Sequence, residues 1–222
     1  MGNDCLLEIT GISKRFSGVK ALDNVTFKMK RGEVRALIGE NGAGKSTLIK
    51  ILSGIHTADS GTIYFDNGEV ALKTPRDAQD LGIATVHQEL NLVPSLTVSE
   101  NVFMGRLPYQ SGIVDYKKLH ADTEQVFKRL GVKIEPTAVV RTLGVAKRQF
   151  VEIAKALSQG AKLVIMDEPT SSLSVGEAEN LFSVIKTLQA SGITFIYVSH
   201  KLEELFEIAD SVTVLRDGQY VE

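Results

Sequence analysis

The stretch Gly39-Glu40-Asn41-Gly42-Ala43-Gly44-Lys45-Ser46 constrains this chain more than any other part of it. It fits the spacing G-x-x-x-x-G-K-[ST] at every fixed position. It also lies between an apolar, strand-prone run, Val34 to Ile38, and a helical pattern from Lys45 to Leu52. Glycines let the backbone curl around an anion with successive N–H groups turned inward, and the helix N-terminus adds its partial positive charge. The segment therefore predicts a phosphate cradle (P-loop). Lys45 reaches the β- and γ-phosphates, the Ser46 hydroxyl ligates Mg2+, and Thr47 donates to an α-phosphate oxygen. A glycine-rich turn that only caps a structural helix would not need all the fixed positions and both flanking elements to agree.

Such a loop needs a carboxylate on a neighbouring strand to hold the metal. Leu163-Val164-Ile165-Met166-Asp167 is an apolar strand ending in Asp167, and Glu168 follows it directly. Adjacent carboxylates can divide the labour, one coordinating Mg2+ through water and the other polarising the attacking water as a general base. Alone, an Asp-Glu pair at a strand end reads as a solvated turn. Beside the phosphate loop it predicts a hydrolytic site.

The rest of the chain reads as α/β, with short apolar runs separated by helical patterns. Residues 6–9, 25–29, Val34 to Ile38 and 62–65 read as strands with one helix among them, which predicts an antiparallel layer beside the main sheet. Ile83 to Val86 is a further buried strand. From about Glu89 to Gly160 strand signals vanish and helical stripes take over: Val126, Phe127 and Leu130 in one helix, then Phe150, Val151, Ala154 and Leu157 in the next. Strands return at 163–166 and Thr194 to Val198, around a helix with apolar positions 178, 181, 182, 185 and 188. Residues 212–215 and 219–221 read as a hairpin closed by Asp217-Gly218. The expected division is a core of 1–88 and 161–222 with an inserted helical subdomain, 89–160. The pattern stops just past a hairpin, which is read as part of a longer polypeptide.

Composition narrows the partners. The 25 Lys and Arg against 27 Asp and Glu give a net charge of −2, which offers nucleic acid no electrostatic footprint. A single cysteine, Cys5, can close no intrachain disulfide and supplies no metal cluster, which fits a reducing compartment. No apolar stretch approaches the roughly 18 residues that span a bilayer, and no signal-peptide pattern opens the chain.

These residues together resemble the ATPase subunits of ABC transporters, and more narrowly the sugar-importer type in which two ATPase halves are fused, this chain resembling the N-terminal half. The resemblance covers nearly the whole sequence. It rests on the phosphate loop, Asp167-Glu168-Pro169-Thr170, Val86-His87-Gln88-Glu89-Leu90-Asn91-Leu92, Leu96-Thr97-Val98-Ser99-Glu100-Asn101-Val102, and His200 after the last buried strand. The sugar-importer branch leans on residues 88–106 and on Val151-Glu152-Ile153-Ala154-Lys155-Ala156-Leu157. The resemblance implies a P-loop NTPase fold of the ABC ATPase type, with a mixed sheet core, an antiparallel β layer and an inserted helical subdomain. It further implies ATP and Mg2+ as ligands, and hydrolysis coupled to import of a sugar, a monosaccharide by branch.

Carried over residue by residue, the resemblance implies that Phe16 stacks on adenine. It implies that Gln88 contacts Mg2+ and the attacking water while linking the sheet to the helical segment, and that His200 contacts the γ-phosphate. On residue type alone Phe16 would be core, Gln88 a loop residue, and His200 a satisfied strand-end histidine. The family's signature Leu-Ser-Gly-Gly-Gln aligns with Leu143-Gly144-Val145-Ala146-Lys147. Gly144 here lacks the hydroxyl, and Lys147 carries a charge where a neutral amide is usual. Ser174 likewise stands where the family commonly has Asp. In the family each nucleotide lies between the P-loop of one half and the signature of the other, so the altered signature concerns a site whose P-loop lies elsewhere, while Ser174 bears on communication between the two sites more than on ATP binding.

The implied partners are a second ATPase half or second copy, and transporter membrane subunits met through the helical subdomain. No nucleic acid and no direct membrane insertion are expected, and the implied location is peripheral, at the cytoplasmic face of the cell membrane. Two alternatives stand beside this reading. One is a nucleotide-binding half with weak hydrolysis that acts as a structural partner. The other is a soluble ABC ATPase acting on nucleic acid, for which the coiled-coil or basic insertions are lacking.

Overall fold

Alternating side chains build the first layer. The structure, a computed structural model, describes residues 4–88 and 90–221; Glu89, the first residue of the expected helical segment, and residues 1–3 and 222 lie outside the described residues. Strands β1 (Cys5–Phe16) and β2 (Val19–Lys30) pair antiparallel, and Leu22, Val25, Phe27 and Met29 of β2 turn inward. β1 also pairs with β4 (Ser60–Phe65), which turns through Asp66 and Asn67, both at positive φ, into β5 (Gly68–Val70). The result is a four-stranded sheet of order β2-β1-β4-β5. Three of the four strands read in this region form the expected antiparallel layer, with longer bounds; the fourth, Val34–Ile38, pairs parallel in the second sheet instead. β5 is new, because Gly68-Glu69-Val70 has a single large apolar residue to reveal it.

The second sheet holds β3 (Val34–Ile38), β6 (Ile83–Val86), β9 (Leu163–Asp167), β10 (Thr194–Val198), β11 (Ser211–Arg216) and β12 (Gln219–Tyr220), in the order β12-β11-β3-β10-β9-β6. β11, β3, β10 and β9 run parallel; β12 pairs antiparallel with β11 across Asp217 and Gly218, both at positive φ as a tight hairpin turn requires. All five residues of β10 are buried, which is why it reads as one continuous apolar run.

Helix α1 (Lys45–Leu52) ties the two sheets together. Its Leu48, Ile49, Ile51 and Leu52 share one apolar cluster with Leu7 and Ile9 of β1 and with Leu163, Ile165, Ile196 and Val198 of the parallel strands. Two further helices of this region escape the periodicity argument. α2 (Pro75–Leu81) buries only Ala78, so it shows no apolar stripe; Thr74 and Asp77 form its capping box, with Pro75 at the first turn. α7 (Leu202–Ile208) has no side-chain cap.

The chain divides into two compact units, residues 1–85 with 161–168 and 189–222, and residues 86–160 with 169–188. The second unit takes in the segment expected to be helical and adds most of α6 (Val175–Ala190), which sequence order assigns to the core. Packing in space and order along the chain differ here. Within this unit α3 (Val98–Val102), α4 (Tyr116–Leu130) and α5 (Val145–Ser158) pack on one another and bury the predicted stripes. α4 starts at Tyr116, well before the stripe of Val126, Phe127 and Leu130 that marks it in sequence, because Asp115 caps it by accepting from the Lys118 N–H. A small hairpin of β7 (Tyr109–Gln110) and β8 (Ile113–Val114) corrects the expectation that strands are missing from this segment. Two-residue strands are too short to show alternation.

Leu48 is fully buried at the centre of the cluster that anchors α1. Leu48→Ala is therefore expected to lower stability by about 2–5 kcal/mol in chemical denaturation; an unchanged midpoint would remove α1 from the core.

Candidate functional site

The glycine-rich loop leaves β3 and enters α1 through a space that only glycine fits. A Cβ on Gly39 would stand 2.2 Å from the Leu215 carbonyl oxygen, and one on Gly44 2.6 Å from that of Ala21. Gly44, at φ 102°, is also the N-cap of α1. Gly218 braces the loop from the side: its N–H donates to the Ala43 carbonyl (3.2 Å), and its own carbonyl accepts from the Asp23 N–H (2.7 Å). In the sequence Asp217-Gly218 reads only as a turn, since nothing local shows that the turn is a clamp.

Lys45 is 7% exposed, and its ammonium donates to the carbonyls of Gly39 (2.6 Å) and Glu40 (3.0 Å). The cation is thereby held against the loop's own backbone. Glu40, Asn41, Gly42 and Ser46 are exposed, Ala43 is buried and Thr47 half-buried. The crest of the loop and the first turn of α1 thus face solvent with N–H donors, a hydroxyl and a fixed positive charge close together, which suits a polyphosphate.

Strand register brings the carboxylates to the same sheet edge. Val198 of β10 stands beside Leu37 of β3 on one side and Asp167 of β9 on the other. Because these strands are parallel, their C-terminal ends share one edge, and there the P-loop, Asp167, Glu168 and His200 emerge. Asp167 is half-buried at the end of its strand. Glu168 takes a left-handed backbone, φ 48°, and its N–H donates to the Val198 carbonyl at 3.0 Å. A glutamate in that region is strained by about 1–3 kcal/mol, and such residues cluster at functional sites. Its side chain meets His200, whose Nε2 stands 2.8 Å from Glu168 Oε1, the distance of an N–H donated to a carboxylate oxygen.

Among the described residues no group of three or more His, Cys, Asp or Glu side chains could cage a metal ion. Ser46 and Asp167 offer hard oxygen donors on this one edge. That donor set fits Mg2+, which keeps most of its waters and takes one or two protein oxygens beside substrate phosphates.

Phe16, at the end of β1, is 39% exposed rather than core. Its ring meets His56 edge-on at 5.2 Å between centroids, and the Lys14 ammonium lies 5.5 Å from its centre. Gln88 belongs to the second compact unit, where it lines a cavity of about 280 Å3 with Leu90, Leu92, Val145, Arg148 and Gln149. Leu143 precedes α5, and Gly144 is its N-cap without a side-chain bond; the Gly144 carbonyl accepts from the Arg148 N–H. Val145 and Lys147 are exposed and Ala146 half-buried. At the start of α6 the Ser174 N–H and hydroxyl both donate to Glu177, whose carboxyl is held below its usual range by these bonds; an aspartate there has no hydroxyl to donate.

One buried acid in this unit is only partly compensated. Glu152 is 6% exposed and its Oε1 has no hydrogen-bond partner. Burial pushes its carboxyl up, against the pull of Lys155, the Asn91 N–H and His87.

The sequence profile of a family described as ABC transporter matches residues 22–171. The chain is 52% identical to the ribose import ATP-binding protein RbsA 2 of Streptomyces coelicolor over 98% of its own length and 42% of that protein's. It is 49% identical to the xylose import ATP-binding protein XylG of Thermoanaerobacter pseudethanolicus, over 99% and 44%. The chain thus spans less than half the length of these curated relatives. Among solved structures, the ADP conformation of MJ1267, an ATP-binding cassette of an ABC transporter, superposes with a TM-score of 0.86 at 29% identity, covering 99% of this chain and 90% of that one.

The raised Glu152 carboxyl makes a pH prediction. Below the ordinary carboxylate range, about pH 4, both folded and unfolded chains carry it neutral. As pH rises through that range the unfolded chain ionises more readily, so stability falls. Glu152→Gln is expected to be more stable than wild type at pH 7 in chemical denaturation, and the gain should vanish near pH 4. An equal difference at both pH values would show that ionisation is not the cause.

Proposed function

We propose that this chain, which belongs to the ABC transporter family, is a cassette that binds and hydrolyses ATP to power import of a sugar, a monosaccharide, through a membrane transporter. The observation that carries the reading is the shared sheet edge, where the P-loop, Asp167, Glu168 and His200 converge and the strained Glu168 meets His200. The sugar is supported by the names of the relatives, ribose and xylose import proteins at 49–52% identity.

In this reading the N–H groups of residues 39–46 and the Lys45 ammonium bind the phosphates, Thr47 donates to the α-phosphate, and Phe16 stacks on adenine. Ser46 and Asp167, with Gln88, would hold Mg2+, which when bound neutralises charge on the β- and γ-phosphates. Glu168 takes a proton from the attacking water as its oxygen bonds to the γ-phosphorus and the bond to ADP breaks. His200 orients Glu168 and contacts the γ-phosphate. Positioning and electrostatics supply most of the rate.

The partners we assign are a second ATPase half or second copy, which residues 143–147 would meet across its nucleotide, and the transporter's membrane subunits. Residues 1–88 and 161–222 would carry the nucleotide, and residues 89–160 the contact with the membrane subunits. Among the described residues no helix is long and apolar enough to cross a membrane, and we place the cassette at the cytoplasmic face, held there by protein contacts. A nucleotide-binding half with weak hydrolysis is a second reading, favoured by Gly144, which leaves the N-cap of α5 without a side chain.

Lys45→Ala is expected to abolish tight ATP binding. Glu168→Gln should bind ATP normally and lose about 10²–10⁴-fold in turnover, read as steady-state phosphate release; undiminished hydrolysis would sink the base assignment. Turnover of the wild type at the level of Glu168→Gln, whatever the protein concentration, would favour the second reading.

A further inference from the structure

The turn that carries His200 is pinned from below by a single buried carboxylate. Glu204, in the first turn of α7, is 7% exposed. Its Oε2 accepts from the Tyr197 hydroxyl at 2.8 Å and from the Ser199 hydroxyl at 2.9 Å, and its Oε1 stands 3.1 Å from the Lys201 ammonium. The Lys201 N–H donates to the Ser199 hydroxyl at 3.1 Å, and the Glu204 N–H to the Lys201 carbonyl at 3.2 Å. Both residues that flank His200 are thus tied to one carboxylate, which is itself tied to the C-terminal end of β10 through the fully buried Tyr197. His200 has much less to hold it: its side chain is 48% exposed, and its recorded anchor is Glu168.

We infer that Glu204 is a positioning residue for His200, fixing the backbone of Ser199 to Lys201 so that the imidazole meets Glu168; this rests on the hydrolytic reading above. A carboxylate is suited to the place because it is acceptor-only, whereas the groups around it, two hydroxyls and an ammonium, are donors. Charge-assisted bonds of this kind are short and strong and offset the cost of burying the charge. The isosteric amide of glutamine has one acceptor oxygen in place of two, so its N–H2 group must face either the two hydroxyls or the Lys201 ammonium. Glu204→Gln therefore loosens the turn without opening a cavity.

The test is a double-mutant cycle in the full-length protein with wild type, Glu204→Gln, His200→Ala and the double variant, reading kcat and KM for ATP together with Tm. Glu204→Gln is expected to lower kcat about tenfold with KM for ATP within about twofold of wild type. With alanine already at position 200 the same substitution should change kcat by less than about twofold, because the group it positions is gone. An equal loss in both backgrounds, or no loss in either, overturns the role. Should Glu204→Gln fail to fold, Ser199→Ala takes its place in the cycle and is read by the same criterion. Wild-type turnover in Glu168→Gln or His200→Ala would overturn the hydrolytic reading and this inference with it. Loss in both of those, with an additive effect of Glu204→Gln, overturns only the positioning role.

Discussion

The common direction of β3, β10 and β9 is the constraint on which the site depends. Three segments far apart in sequence, at residues 39–46, 167–168 and 200, meet because their strands end on one edge with Val198 in register with both Leu37 and Asp167. Reversing one strand would carry its loop to the far edge of the sheet. A slip of one residue would turn every side chain to the opposite face. Burial of all of β10 and of four of the five residues of β9 makes either error expensive, so the apolar core enforces a polar geometry that it does not itself contact.

That edge also gathers features the core avoids. A lysine is buried there against two carbonyls, a glutamate adopts φ 48°, and a carboxylate in α7 lies under the histidine turn. Each is offset by specific bonds, such as the Glu168 N–H to the Val198 carbonyl. Glu152, whose Oε1 has no such partner, shows by contrast how burial prevails over partial compensation and raises an acid's ionisation range.

How legible an element is in sequence follows its length and its share of buried apolar residues. β3, α1, β6 and β10 match the sequence reading to the residue, because continuous apolar runs or a full stripe mark them. α2, β5 and the β7–β8 hairpin are short and bury little, so periodicity has nothing to act on, and the Leu205 and Ile208 that α7 buries are too few to mark a stripe. For α2 the signal was present in another form, the cap at Thr74 and Asp77. Within the site, spacing alone marks Lys45 and the Asp167-Glu168 pair; Gln88, Phe16 and His200 need the family resemblance. Neither route reveals the left-handed backbone at Glu168 or the bonds of Glu204, since both arise from how a strand end meets the loop after it.

The same distinction between backbone demand and side-chain loss bears on Gly144. Gly39 and Gly44 are dictated by space, because neighbouring carbonyls stand where a Cβ would go. At Gly144 nothing lies within 4 Å of that position, and φ −65° is open to any residue. Replacing serine by glycine at an N-cap costs a helix only a few tenths of a kcal/mol, so α5 is hardly affected by the exchange. Neither packing nor backbone conformation therefore calls for glycine at this position. What the substitution removes is a hydroxyl at the exposed start of α5, and its effect falls on whatever anion approaches that helix end from outside the chain.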